Sequence, residues 1–131
     1  MINVDTSAFL ALINSDDPHH DQAIQTWKTL IEEDQKLICN NYVLVESIAL
    51  IQQRVGLSAV SILHNGILPF LEIDWLNEAH HNAIIKAVLK TNRRQISFGD
   101  NSSFDTMRRY EVKTAFAFDR HFPDQGFEVI P

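Results

Sequence analysis

Hydrophobic positions along this chain fall into two kinds of run that alternate. Short apolar stretches at 2–4, 36–39, 69–73, 114–118 and 127–130 show little polar alternation. Each predicts a strand buried on both faces, because a strand with one wet face alternates apolar with polar residues. Between them lie longer stretches with apolar residues at helical spacing. Phe9, Leu10, Leu12 and Ile13 mark a short helix opened by Thr6 and Ser7. Ala23, Ile24, Trp27, Leu30 and Ile31 mark a second that runs to about Glu33; 14–18 is the loop before it, and Pro18 suits its first turn. Leu44, Ile48, Ile51 and Val55 stripe a third, capped by Asn40-Asn41 and ended by Gly56. Helices over 58–66 and 76–90 follow, the latter offering Ala79, Ala83, Ile84, Ala87 and Val88 for packing. Residues 91–98 read as a loop, and Gly99 to Ser103 open a last helix that reaches about Tyr110. Short apolar strands alternating with helices predict an α/β three-layer sandwich around a parallel sheet.

This pattern gives the acidic residues a shared address. Asp5 ends the first strand, Asp119 ends the fourth, Asp100 begins a helix, and Glu46 sits early in the helix after the second strand. In open parallel sheets, function gathers beyond the carboxyl ends of the strands, and all four acids reach that edge. Taken singly, each acid is equally well explained as a helix cap or a solvated side chain. Together, four carboxylates repel one another unless a cation neutralises them. An all-oxygen set with no accompanying His or Cys favours Mg²⁺ or Mn²⁺, and such ions activate water against a phosphodiester.

Composition narrows the picture further. The chain has 131 residues, 45% of them hydrophobic, so it can bury a sizeable core without disulfides or a structural metal. It has no repeat or Gly/Ser/Pro linker and reads as one domain over 1–131. A net charge of −6 argues against a protein that coats nucleic acid through a broad basic surface. The single cysteine, Cys39, lies in an apolar run, reads as a small buried hydrophobe and fits a reducing compartment. The start of the chain lacks a signal-peptide pattern and no stretch is long enough to span a membrane, so a cytoplasmic protein is expected.

The segments around the four acids resemble the motifs of PIN domains, among them the VapC toxins of bacterial toxin–antitoxin pairs. Val4-Asp5-Thr6-Ser7-Ala8-Phe9 resembles the opening motif and Asn41-Tyr42-Val43-Leu44-Val45-Glu46 the second. Ile96-Ser97-Phe98-Gly99-Asp100-Asn101-Ser102-Ser103-Phe104 resembles the third, and Phe116-Ala117-Phe118-Asp119-Arg120-His121-Phe122 the fourth. The resemblance covers essentially the whole chain. It implies a five-stranded parallel sheet between helices and Mg²⁺- or Mn²⁺-dependent endonucleolytic hydrolysis of RNA. It makes Asp5, Glu46 and Asp100 the core metal ligands, with Asp119 a fourth acid that acts through water or a second metal. It places Thr6 and Ser7 as hydrogen-bonding residues near the site and substrate. It also implies a homodimer and a small cognate antitoxin. Gly99 departs from the pattern, since a larger residue is usual there, and Asp105 adds an acid that reads as an exposed helix residue.

Of the basic residues, Arg93 and Arg94 in their loop and Arg120 beside Asp119 are the candidates for guiding phosphates to the acids. Arg108 and Arg109 read as a solvated helix face. His19-His20 and His80-His81 cannot make metal pairs, because adjacent helical residues point to different faces, and they read as surface residues. His121 reads as a loop-surface residue. Trp27, Phe70, Phe104, Phe116 and Phe118 are candidate core, and Trp75 is expected to be partly exposed. Apolar residues of the second helix and of 58–66 are candidates for a dimer or antitoxin groove. There is no Walker A or dinucleotide fingerprint. Ser7 stands where a haloacid-dehalogenase domain needs a second Asp, and Met1-Ile2-Asn3 lacks the acid pair of a receiver domain. The chain also lacks the helical arch of flap nucleases. The alternative that survives is a non-catalytic PIN-fold module that uses the groove for a partner.

Overall fold

In the computed structural model, which describes residues 1–131, five parallel strands form a sheet in the order β3-β2-β1-β4-β5. The strands are β1 (Ile2–Val4), β2 (Leu37–Asn40), β3 (Leu71–Asp74), β4 (Thr114–Phe116) and β5 (Glu128–Ile130). Helices α1 (Thr6–Ile13), α2 (His20–Glu32), α3 (Asn41–Arg54) and α4 (Leu57–Ile62) fill the first half of the chain. They are followed by α5 (Glu78–Thr91), α6 (Phe98–Arg109) and α7 (His121–Asp124). The expected α/β sandwich with a five-stranded parallel sheet is the observed architecture.

Alternation of side chains across the strands separates two cores. Ile2 and Val4 of β1, Leu37 and Cys39 of β2, and Phe116 of β4 pack with Phe9, Leu12, Leu30, Val43, Ile51 and Leu63 on the face covered by α1 to α4. On the other face Ile38 and Ala115 join Phe104, Met107, Val112 and Phe122 beneath α6 and α7. The inner strands are wet on neither face, which is why they carry no polar alternation. Cys39 is fully buried, and burial pushes its thiol up to about 12, so it serves as a hydrophobe.

Chain order and sheet order diverge at one place. From β1 the chain steps outward through β2 to β3, then crosses to the other side of β1 for β4 and β5. The order in which strands are added therefore reverses between β1 and β4, the position where open α/β sheets leave a crevice at their carboxyl edge. Asp5 and Asp119 follow these two strands.

Several expected boundaries move, each for a local reason. Pro69 does not start a strand: Leu68–Phe70 is a 3₁₀ turn that follows a π turn at Leu63–Ile67, and pairing begins at Leu71. The 58–66 helix is thus α4 plus that π turn. Pro18 lies in the turn ahead of α2 rather than inside it, and β4 stops at Phe116. Helix α6 starts at Phe98 behind the Ser97 cap, one residue before Gly99, and α7 has no counterpart in the expected elements. Gly56 ends α3 as expected; its φ of 130° suits glycine alone, and its N–H closes back on Ile51 O.

Burial and ion pairing also correct four assignments. Phe70 is 54% exposed and is not core. Ala79, Ala83 and Ala87 of α5 are exposed, leaving Ile84 as that helix's buried residue. Arg109 is no free solvated arginine, because it pairs with buried Asp74 at the end of β3 and with Asp105 on its own helix. Asp105 is accordingly half-buried and paired. Its neighbour Arg108 packs over the rings of Phe104 and Phe127.

Candidate active site

Asp5 takes its place from two local demands. It follows the last residue of β1 and caps α1, so its backbone is extended while its carboxylate turns back onto the helix start. Its Oδ2 accepts from Ser7 N at 3.1 Å and from Ser7 Oγ at 2.5 Å. Ser7 Oγ in turn accepts from Phe118 N at 2.9 Å, which ties Asp5 to the segment leading to Asp119. Thr6 Oγ1 accepts from Ser47 Oγ on α3, one residue beyond Glu46, at 3.1 Å. The hydroxyls of Thr6 and Ser7 thus join the elements that carry three of the acids.

Asp100 is held by a capping box. Ser97 Oγ accepts from Asp100 N at 3.0 Å, and Asp100 Oδ2 accepts from Ser97 N at 3.1 Å. One Asp100 carboxylate oxygen is thus occupied at the helix start. Glu46 reaches across from the second turn of α3, and its Oε2 lies where a Cβ on Gly99 would be 2.8 Å away. The absence of a side chain at Gly99 therefore admits the Glu46 carboxylate to the start of α6. Asp119 Oδ1 accepts from His121 N at 2.8 Å, a turn that fixes the carboxylate after β4.

Below these groups Asn40 joins the two helices that carry Glu46 and Asp100. Its Oδ1 caps α3 by accepting from Val43 N at 2.9 Å, while its Nδ2 donates to Ser102 Oγ and Thr106 Oγ1 of α6, each at 3.1 Å. Thr106 Oγ1 donates onward to Asp74 at 2.8 Å. The network is fully buried at Asn40, Ser102 and Thr106.

Asp5, Glu46, Asp100 and Asp119 line one cleft of about 200 Å³ together with Thr6, Ser7, Leu10, Val43, Leu50 and Gly99. Electrostatics mark the cleft as short of positive charge. Burial raises Asp5 to about 6, and the charges of Asp119 and Asp100 add to the rise against the two Ser7 hydrogen bonds. Burial also raises Glu46, with Asp100 adding to it, and raises Asp100, with Asp119 adding to it. Carboxylates whose burial disfavours the charged form, at the starts of two helices whose dipoles favour negative charge, are a donor set that a divalent cation would complete.

His121 belongs to this group, contrary to its loop-surface reading. Its ring, Asp100 and Asp119 can each offer an atom within 4.8 Å of the others, and its Nδ1 is buried without a hydrogen-bond partner. Four other histidines have structural partners: His19 stacks on Phe118, His20 contacts Ala11 O, His80 completes the α5 capping box, and His81 contacts Tyr42. Arg93 and Arg94 stand exposed on the turn ahead of Ser97, and Arg120 is exposed beside Asp119. None of the three forms an ion pair, so all are open to solvent-borne phosphate.

The family model for the PIN domain matches residues 2–128. The chain belongs to the PIN domain family. Across its whole length it is 30% identical to the 23S rRNA-specific endonuclease VapC20 of Mycobacterium tuberculosis, covering 99% of that protein. The crystal structure of M. tuberculosis VapC20, described as a sarcin-ricin loop cleaving toxin, superposes with a TM-score of 0.85. That match has 26% identity and covers 97% of this chain and 96% of that one. FitAcB from Neisseria gonorrhoeae shares the fold at 18% identity, with a TM-score of 0.69 over 100% of this chain and 97% of that one. No helix is long and apolar enough to cross a membrane.

Proposed function

We propose that residues 1–131 form one PIN catalytic domain, a divalent-metal-dependent endoribonuclease that acts as the toxin of a toxin–antitoxin pair. The observation that carries this reading is the convergence of Asp5, Glu46, Asp100 and Asp119 from four separate elements on one cleft at the sheet's reversal point. The full-length likeness to an RNA-cleaving PIN toxin supports it.

Asp5, Glu46, Asp100 and Asp119 would hold Mg²⁺ or Mn²⁺, with His121 at the rim as a further donor. When bound, the ion supplies Lewis-acid stabilisation of phosphodiester charge and a more acidic water. The chain's own residues prepare this. Ser7 and Thr6 orient Asp5 against the β4 and α3 sides of the cleft, Ser97 holds Asp100, and Gly99 leaves space for Glu46. Arg93, Arg94 and Arg120 meet the RNA backbone, giving an overall acidic protein a local phosphate contact. The exposed apolar residues Val45, Leu57 and Ile62 suit a homodimer or antitoxin contact.

The test is cleavage of a structured RNA by the purified protein with Mn²⁺. Internal cuts that leave 5′-phosphate and 3′-hydroxyl ends, abolished by EDTA, are expected. Cleavage that persists in EDTA, or that persists at full rate in Asp100→Asn, would overturn the reading.

A further inference from the structure

Three aromatic rings border the acid cleft without belonging to either core. Tyr42 lies on α3 one helical turn ahead of Glu46, so the two share a face. Phe98 is the first residue of α6, two before Asp100, and Gly99 between them carries the Glu46 carboxylate against its backbone. His81 of α5 completes the group. Ring centroids are 5.5 Å apart for Tyr42 and Phe98, 5.3 Å for His81 and Phe98, and 5.7 Å for Tyr42 and His81. The Tyr42 hydroxyl and His81 Nδ1 share a hydrogen bond that fixes two of the rings. Tyr42 and Phe98 are half-buried and His81 is exposed.

From this juxtaposition we propose that Tyr42, His81 and Phe98 form a stacking subsite for an unpaired nucleobase adjoining the cleaved phosphodiester. The proposal rests on the ribonuclease reading and names how that site would grip its substrate. Each phosphodiester links two riboses that both carry a base, so RNA with its backbone at Asp5, Glu46 and Asp100 carries a base within reach of the neighbouring rings. Proteins that bind single-stranded RNA use such faces, because every base has a π surface to stack on. The rings are held in advance by each other and by the Tyr42–His81 hydrogen bond, so little order is lost on binding.

The experiment measures equilibrium binding of a fluorescently labelled single-stranded oligoribonucleotide in an Asp5→Asn background, where the RNA stays intact. A matched oligonucleotide of abasic riboses serves as the probe without bases. Adding Phe98→Ala or Tyr42→Leu should weaken binding of the base-bearing RNA about tenfold or more, the loss expected when one base–aromatic stack is removed. Neither change should further weaken binding of the abasic RNA. Phe98→Trp, which keeps a ring, should bind within about twofold of the parent, as should Tyr42→Phe, which guards against a loss that reflects folding alone. Equal binding of base-bearing RNA by the parent and both ring deletions overturns the subsite, as does an equal loss on both RNAs. If the protein with Asp5 intact cleaves RNA with Mn²⁺, that result overturns the subsite alone. If it neither binds nor cleaves RNA, the ribonuclease reading and the subsite fall together.

Discussion

Replacing Asp5 by Asn is expected to cut Mn²⁺-supported RNA cleavage by about 10³-fold or more, since losing one ligand removes several kcal/mol of charge stabilisation from the transition state. The same replacement should make the metal-free protein more stable. Asp5 is 6% exposed, and its pKa stands at about 6 rather than 3.8, chiefly through burial. An acid whose folded pKa is raised holds its proton more tightly in the folded than in the unfolded state. Its contribution to stability is therefore most favourable below about pH 4, falls as pH rises towards 6, and remains at its lowest above that. The difference corresponds to about 3 kcal/mol. Asparagine keeps an oxygen to cap α1 and accept from Ser7 but carries no charge. Urea unfolding in EDTA should find the variant and the parent equal near pH 4 and the variant more stable at pH 7. A variant that is less stable at pH 7 and still cleaves RNA would show that Asp5 is a structural cap. Stability gained where activity is lost is the expected mark of a strained functional site.

Asn40→Ala carries the second-largest effect. It removes the α3 cap and leaves Ser102 and Thr106 without their buried donor. A lost cap costs about 1 kcal/mol and each buried hydrogen bond a similar amount, so unfolding should become easier by about 3 kcal/mol. The consequence reaches the site because α3 carries Glu46 and α6 carries Asp100. Asn40→Ser separates the two roles: its hydroxyl can cap α3 but is too short to reach α6. It should recover about 1 kcal/mol of the stability while Mn²⁺ affinity stays reduced. Chemical denaturation together with metal titration of the two variants checks both statements. Full recovery of metal affinity in Asn40→Ser would limit Asn40 to its capping role.

How much of this could be read from the sequence depends on the range of the forces involved. Strands buried on both faces advertise themselves as short apolar runs, and an Asp after such a run sits at the carboxyl edge whatever else the chain does. That local logic placed Asp5 and Asp119 beyond the ends of β1 and β4 and put the start of α6 within one residue. It extended β4 to Phe118 because Ala117 and Phe118 are also apolar, although strand pairing stops at Phe116. It missed α7, since four residues cannot display a helical period. It took Phe70 as core from its apolar neighbours, but the 3₁₀ turn at Pro69 turns that ring outward. The buried network was out of reach for another reason. Asn40, Asp74, Ser102, Thr106 and Arg109 are polar residues from different parts of the chain, and only the packing of α6 over the ends of β2 and β3 brings them together. His121, Tyr42, His81 and Phe98 are of the same kind. His121 and His81 read as surface residues beside their sequence neighbours, and the grouping of all four depends on distant elements. A partial signal was present, since Tyr42 and Phe98 lie within the second and third motif segments.

Whether the four acids form one divalent-metal site is tested most directly by calorimetric titration of Mn²⁺ into the metal-free protein. Saturable binding is expected, with proton release near pH 6 because Asp5 still holds part of its proton there. Asp5→Asn and Asp100→Asn should each abolish or greatly weaken that binding. An absence of Mn²⁺ binding at millimolar metal, or binding left unchanged by both substitutions, would contradict such a site.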